Sequence, residues 1–226
     1  MEKIKIVIEK DRLIRINNPF GDIYSDYISR NSFEFFKGKS YGIVCEYGSG
    51  GEALSLLLSG EISMQLEKSF IDEKEVQKID SGWYVGKKIM SKGVIKREIS
   101  KEKAFKIAID EYNKFHDINE IVSMFNLLPN KLEYGFSNNC EWERWRASLA
   151  LGYACNKKIF CFPWMNTMIF YDCMYNSQVF KYFDDIKRDG GIIILPTSRK
   201  ENIEGLVDDI IEIHCSRFEH TISESY

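Results

Sequence analysis

The six residues Ser40–Cys45 (SYGIVC) carry no charge. Two residues later comes Gly48-Ser49-Gly50-Gly51, and then Ala53-Leu54-Ser55-Leu56-Leu57-Leu58. No other part of the chain limits the fold as strongly. The first segment has the length and apolar character of a buried strand. The last consists of good helix formers and stops at Gly60, a residue suited to the left-handed position after a helix. Strand, glycine loop and helix in this order mark an α/β domain. In such a domain the loop and the helix N-terminus can close around a phosphate.

The flanking sequence divides in character. Ile4-Ile6-Ile8 and Leu13-Ile14-Ile16 predict short strands before the turn Asn17-Asn18-Pro19-Phe20-Gly21, and Phe33, Phe35 and Phe36 lead into Lys37-Gly38-Lys39. Residues 61–85 suit strands and turns. Over 94–156 the period becomes helical. Ser100 opens a weak cap, with Lys103 where a capping box wants Glu. Ala104, Ile107, Ala108 and Tyr112 form one stripe, and Ile118, Ile121, Val122 and Phe125 another. A third helix, Glu141–Ala154, carries Trp145, Leu149 and Tyr153 on one face. The α/β pattern then returns. Lys157-Lys158 precede a strand Ile159–Phe162, a helix is expected around Ser177–Arg188, and Gly190-Gly191 precede the strand Ile192–Leu195. Leu206–Ile213 predicts a last strand. The expected plan is one domain over 1–226. Residues of about 1–93 and 157–226 form the α/β core and a β subdomain, and about 94–156 form an inserted helical subdomain.

Composition narrows the function. With 31 Lys and Arg against 34 Asp and Glu, the net charge of −3 argues against a nucleic-acid partner. No run approaches the 18 or so apolar residues of a membrane span. The start, MEKIKIVIEKDRLIRI, lacks the apolar region of a signal peptide. Cys45, Cys140, Cys155, Cys161, Cys173 and Cys215 show no regular spacing, so reduced and mostly buried thiols are expected. His116, His214 and His220 are isolated in the sequence, and no structural metal is expected.

Taken in one frame, the landmarks resemble the nucleotide-binding subunits of ATP-binding cassette (ABC) transporters. Phe36–Val44, the glycine loop and Leu54–Gly60 resemble that family's first strand, phosphate loop and helix. Glu143–Ala154 resembles the helix after its Leu-Ser-Gly-Gly signature. Lys157–Phe162 resembles its Walker B strand, and Gly190–Leu195 the strand before its switch histidine. The resemblance covers nearly the whole chain. It implies a P-loop NTPase-like (RecA-like) core with an antiparallel β subdomain and an inserted helical subdomain.

The departures fall where the family does its chemistry. Against the pattern G-x-x-x-x-G-K-[ST], this chain has Cys45 for the first Gly, Gly48, Ser49 and Gly50 in the loop, Gly51 for the Lys, and Glu52 and Ala53 for the hydroxyl positions. Asn139-Cys140-Glu141-Trp142 occupy the signature positions, or, one turn earlier, Phe136-Ser137-Asn138-Asn139 keep the Ser but lose both glycines. Pro163 and Trp164 follow the Walker B strand where Asp-Glu is expected, and the switch position falls at about Ser198. Val85-Gly86-Lys87 lacks the family's Gln. Phosphoryl transfer needs charge neutralisation and a positioned water, and one missing electrostatic group costs roughly a hundredfold in rate or more. Intrinsic hydrolysis is therefore not expected, and no cofactor is expected, ATP being the one candidate. Glu52 is expected to place its carboxylate at the helix N-terminus, where it would repel a nucleotide phosphate. Trp142 and Trp164 are expected to fill nucleotide space.

The resemblance further implies an integral membrane permease and a second cassette as partners, and a peripheral position on the cytoplasmic face of the membrane. In this reading the chain scaffolds or regulates an active cassette. Two others compete with it: an ATPase with unusual catalytic groups, and a soluble interaction protein on the same fold.

Overall fold

Alternation along β1 (Lys3–Ile8) sets the first layer, because Ile4, Ile6 and Ile8 are buried and the residues between them are not. β2 (Arg12–Asn17) and β3 (Ile23–Ile28) pair as an antiparallel ribbon. β4 (Asn31–Phe36) joins β1 antiparallel and brings in Phe33 and Phe35. β5 (Ser40–Val44) leads into the glycine loop and α1 (Gly51–Leu58). β6 (Glu67–Ile71) and β7 (Lys74–Val76) complete a four-stranded antiparallel sheet in the order β4-β1-β6-β7. The computed structural model describes residues 1–17, 23–62, 67–91, 96–138 and 141–214.

The second sheet is parallel. β8 (Gly82–Tyr84), β9 (Ile159–Cys161), β10 (Ile192–Thr197) and β11 (Asp209–Glu212) flank β5 in the order β11-β5-β10-β9-β8. Side chains of β9 and β10 alternate between two cores. Ile159, Cys161, Ile192 and Ile194 face α1 and the antiparallel strands, whereas Phe160, Phe162, Ile193 and Leu195 face the helices. All eight residues of α1 are buried, Glu52 and Ser55 included, so the helix carries no solvent-facing polar stripe. It ends in a Schellman arrangement at Gly60 (φ 74°), with the Gly60 and Glu61 N–H groups bonded to the Leu57 and Leu56 carbonyls.

Helices α2 (Lys101–Tyr112), α3 (Ile118–Met124) and α4 (Glu141–Ala154) occupy the stretch expected to be helical. They share one apolar cluster with the sheet face carrying Phe160 and Phe162, and Trp145 stacks on Phe162 at 5.7 Å. Ser100 does cap α2, accepting from the Lys103 N–H at 3.3 Å. The expected stripe on α2 is rotated. Ala104 and Ala108 are buried, but Ile107 and Tyr112 are exposed, and Phe105 points inward instead.

The helix expected over 177–188 begins earlier and is broken. α5 (Thr167–Phe170) runs into a π-helical turn at Tyr171–Asn176, a 3₁₀ turn at Val179–Tyr182 and α6 (Phe183–Arg188). Gln178 at φ 55° and the Ser177 hydroxyl, bonded back to the Cys173 carbonyl, interrupt the regular ladder. Of the last predicted strand, only Asp209–Glu212 is extended beside β5.

The carboxyl ends of β5, β9 and β10 converge. Cys45 N–H donates to the Thr197 carbonyl (3.0 Å). The chain after β9 bridges to β10 through Met165, whose carbonyl accepts from Ser198 N–H (3.1 Å) and the Thr197 hydroxyl (2.9 Å). Ligands of open α/β sheets bind at such strand ends.

Candidate functional site

The glycine loop lies against β3. Tyr27 N–H donates to the Gly48 carbonyl at 2.9 Å. A Cβ on Gly50 would sit 3.0 Å from the Tyr27 carbonyl oxygen and 3.2 Å from Ile28 Cα. Gly48 and Gly50 both have positive φ (77° and 100°), which favours glycine here irrespective of any ligand. The closeness of β3 adds a second reason at Gly50.

A carboxylate does occupy the N-terminus of α1, but it belongs to Asp26 and not to Glu52. Asp26 Oδ1 accepts from Gly50 N–H and Oδ2 from Ala53 N–H, both at 2.7 Å. Asp26 is only 1% exposed. Burial pushes its carboxyl above the usual range, while backbone N–H groups of Ala53, Gly50, Tyr27 and Glu52 act to hold it down. Gly50 and Ala53 lie in the stretch whose N–H groups enclose phosphates in an intact phosphate loop.

Glu52, 3% exposed, turns away from its own helix end. Its Oε1 accepts from the Tyr84 hydroxyl and its Oε2 from Trp164 N–H at 2.5 Å. Desolvation pushes its carboxyl up to about 7, with the Asp26 charge adding to the rise and the two donors opposing it. The expected capping of the helix N-terminus by Glu52 is therefore not what its carboxylate does. Glu52 instead joins α1 to β8 and to the chain after β9.

Trp164 is the residue that the sequence resemblance sets where an acid is expected. Its indole N–H donates to the Cys45 carbonyl at 3.0 Å, and its ring meets Tyr47 edge-on at 5.2 Å. Tyr47 lies 5.4 Å from Tyr24 of β3. At Gly51, the lysine position, an added Cβ would be 2.5 Å from Cys45 Sγ and 3.2 Å from both Trp164 Cδ1 and Pro196 Cβ. Trp164 thus packs against the loop at Gly51 and Cys45. Gly51→Lys is expected to cost roughly 1–3 kcal/mol through overpacking. Urea unfolding of Gly51→Ala, Cys45→Ala and the double variant checks the cause, since removing the sulfur should recover most of the loss.

Other sequence-derived positions are dispersed. Cys140 lies outside the described residues, and Glu141 opens α4. Trp142, in the first turn of α4, has the Arg146 guanidinium 4.7 Å from its ring centre, so its partner lies on its own helix and not at the loop. Pro163 is buried ahead of Trp164, and Ser198 is held by its backbone to Met165. In place of a glutamine loop, Gly86 is clamped to α4: its N–H donates to the Ser148 hydroxyl (2.7 Å) and its carbonyl accepts from Arg144 Nε (2.9 Å).

Cys45, Cys155, Cys161 and Cys173 are not in disulfides; three are buried and Cys155 is half-buried. Burial raises Cys45 to about 12, which leaves it a poor nucleophile. Among the described residues, no cluster of His, Cys, Asp or Glu has metal-ligating geometry. The helices described include none long and apolar enough to cross a membrane.

Sequence reasoning missed Asp26 and Tyr84. The available signal was Tyr24-Ser25-Asp26-Tyr27-Ile28, where Asp26 shares a strand face with Ile28 at an inward position. An acid there needs buried donors.

No protein-family model matches the sequence, and no curated protein matches it significantly. Solved structures do match in fold. CbiO1 from Clostridium perfringens, part of the ABC transporter complex CbiONQ, superposes with a TM-score of 0.62 at 12% identity, covering 94% of this chain and 85% of its own. The dimeric bacterial ABC transporter cassette MJ0796 gives 0.64 at 14% identity, covering 93% of this chain and 94% of its own. The ADP-bound cassette MJ1267 gives 0.58 at 12% identity, covering 94% of this chain and 87% of its own. With its parallel core, antiparallel sheet and helical insertion, the chain has the P-loop NTPase-like fold of the ATP-binding cassettes of ABC transporters.

Proposed function

We propose that this chain is a hydrolysis-deficient, cassette-like subunit of a membrane transport complex, acting as structural or regulatory partner of a permease and an active cassette. One observation carries the reading. The N–H groups of Gly50 and Ala53 are bonded to the chain's own Asp26, while the lysine position is closed by Cys45, Pro196 and Trp164. A nucleotide phosphate would meet a carboxylate where it needs donors, and no lysine or acid pair to handle its charge.

The fold supplies the context. CbiO1 is part of a transporter complex and MJ0796 forms a dimer. By analogy this chain pairs with a second cassette and sits on the cytoplasmic face of the membrane through a permease. Its contribution to a composite site is shape and not chemistry.

Purified chain is expected to bind a fluorescent ATP analogue with no measurable affinity and to show no Mg-ATP turnover. Turnover lost on Glu52→Gln would overturn the proposal in favour of an atypical ATPase. Affinity capture from detergent-solubilised membranes is expected to retain a polytopic membrane protein and an intact cassette. Recovery of neither would favour a soluble interaction protein.

A further inference from the structure

We propose that the β2–β3 ribbon is a strap over the phosphate loop, with the Asp26 carboxylate as an internal anion that excludes polyphosphates from it. This rests on the reading of the glycine loop as a phosphate loop that no longer serves catalysis. It goes further by assigning the exclusion to one element, the ribbon that carries Asp26.

Three features make Asp26 a latch and not an ordinary helix cap. It reaches α1 from 24 and 27 positions away in sequence, measured to Gly50 and Ala53, so it joins two separate elements. Its two oxygens each take one N–H, a bidentate arrangement such as two phosphate oxygens would make. The strand that carries it also touches the loop directly, through Tyr27 N–H on the Gly48 carbonyl and through the close approach of Tyr27 and Ile28 to Gly50. A ligand cannot use the Gly50 and Ala53 donors while the ribbon stays in place. Among the described residues the ribbon's strand pairing runs between β2 and β3 and joins neither larger sheet, while Ile14, Ile16 and Ile28 seat its inner face in the core. At the loop itself, the contact that seats the ribbon is the same one that excludes the anion.

The acceptable intruder follows from the chemistry. It must be an anion with at least two oxygens spaced to meet neighbouring N–H groups, and inorganic pyrophosphate provides this without any nucleobase. The nearby Glu52 carboxylate opposes a second anion, so the binding comparison is made at pH 6, below the value of about 7 to which Glu52 is pushed.

Thermal unfolding of full-length wild type and Asp26→Ala, each with and without pyrophosphate or acetate, tests the proposal. Pyrophosphate is expected to raise the midpoint of Asp26→Ala and leave wild type unchanged, its affinity for the variant being roughly tenfold tighter or better. No rescue by either anion, or rescue by acetate alone, would overturn it, because the loop would then not be a phosphate site under a strap. Should the variant not fold, amide exchange on wild type decides. The Gly50 and Ala53 N–H groups should keep their protection in pyrophosphate, and pyrophosphate-dependent change in them overturns the strap. Absence of rescue together with absence of ATP turnover removes the strap alone, whereas ATP turnover by wild type removes the functional reading beneath it.

Discussion

Asp26→Asn is expected to destabilise the chain by about 3 kcal/mol, because one buried N–H loses its acceptor and the other loses a charged one. The substitution preserves shape, so packing is unchanged. An amide, however, offers one oxygen and one NH₂ group. Facing Gly50 N–H and Ala53 N–H, one arm must bring donor against donor. A buried donor left without a partner costs about 1–3 kcal/mol, and charge-assisted bonds contribute about 1.5–3 kcal/mol each. Neutralisation returns part of this, since burial already raises the Asp26 carboxyl and the charge is held at a cost. For a chain of this length the net loss corresponds to a fall of roughly 6–12 °C in the thermal midpoint. Glu46→Gln, on the exposed part of the same loop, should stay within about 0.5 kcal/mol of wild type. Equal midpoints for Asp26→Asn and Glu46→Gln would show that Asp26 does not hold the loop.

The parts legible in the sequence are those whose periodicity comes from burial on one or two faces. Ile4-Ile6-Ile8, the apolar stretches of β5 and β10, and α4 fall where their patterns put them. α1 was legible because both its faces are covered, so no polar stripe obscures its helix formers. The α2 stripe misled because Ile107 and Tyr112 repeat at helical spacing but stay exposed. Residues 167–188 were obscure for another reason. A π-helical turn shifts the register within one helical stretch, and no fixed period describes it. At the site, composition at the loop positions was readable, but the crowding of Trp164 against Gly51 was not, because the two lie 113 positions apart in sequence. Which acid reaches the helix start was not readable, because Asp26 approaches from a separate strand, β3, 27 positions before Ala53. Glu52 looked like the capping acid because it is adjacent in sequence, yet Tyr84 and Trp164 draw it the other way.

The Glu52 environment predicts an unusual pH dependence. Its folded value of about 7 lies above the ordinary 4.5, so the native chain binds the proton more tightly than the unfolded one. Stability from this group is complete below about pH 4.5 and declines as pH rises toward 7. Above 7 it is level, the total loss being about 3 kcal/mol. Asp26, also raised, adds a fall of the same sign from its own lower starting point. Asp11, Asp72, Asp189 and Asp208 are lowered, so their contributions are lost only as pH falls into the acid range, and they do not cancel this slope. The groups facing Glu52 are Tyr84 from β8, the Trp164 amide and Asp26 from β3. Tyr84 stays protonated across pH 5 to 8, since burial and the Glu52 charge push its hydroxyl up, and Asp26 is raised by burial so that its proton adds to the same trend. Gln at this position mimics the protonated acid: its oxygen can accept from Trp164 N–H and its NH₂ can donate to the Tyr84 oxygen. Wild type and Glu52→Gln should therefore unfold at similar urea concentrations at pH 5 and separate progressively up to pH 7.5, where the variant is more stable by about 2–3 kcal/mol. Parallel stability curves for the two chains across this range would mean that Glu52 is not held in a desolvated site. The clamp between α1, β8 and Trp164 would then not exist in solution.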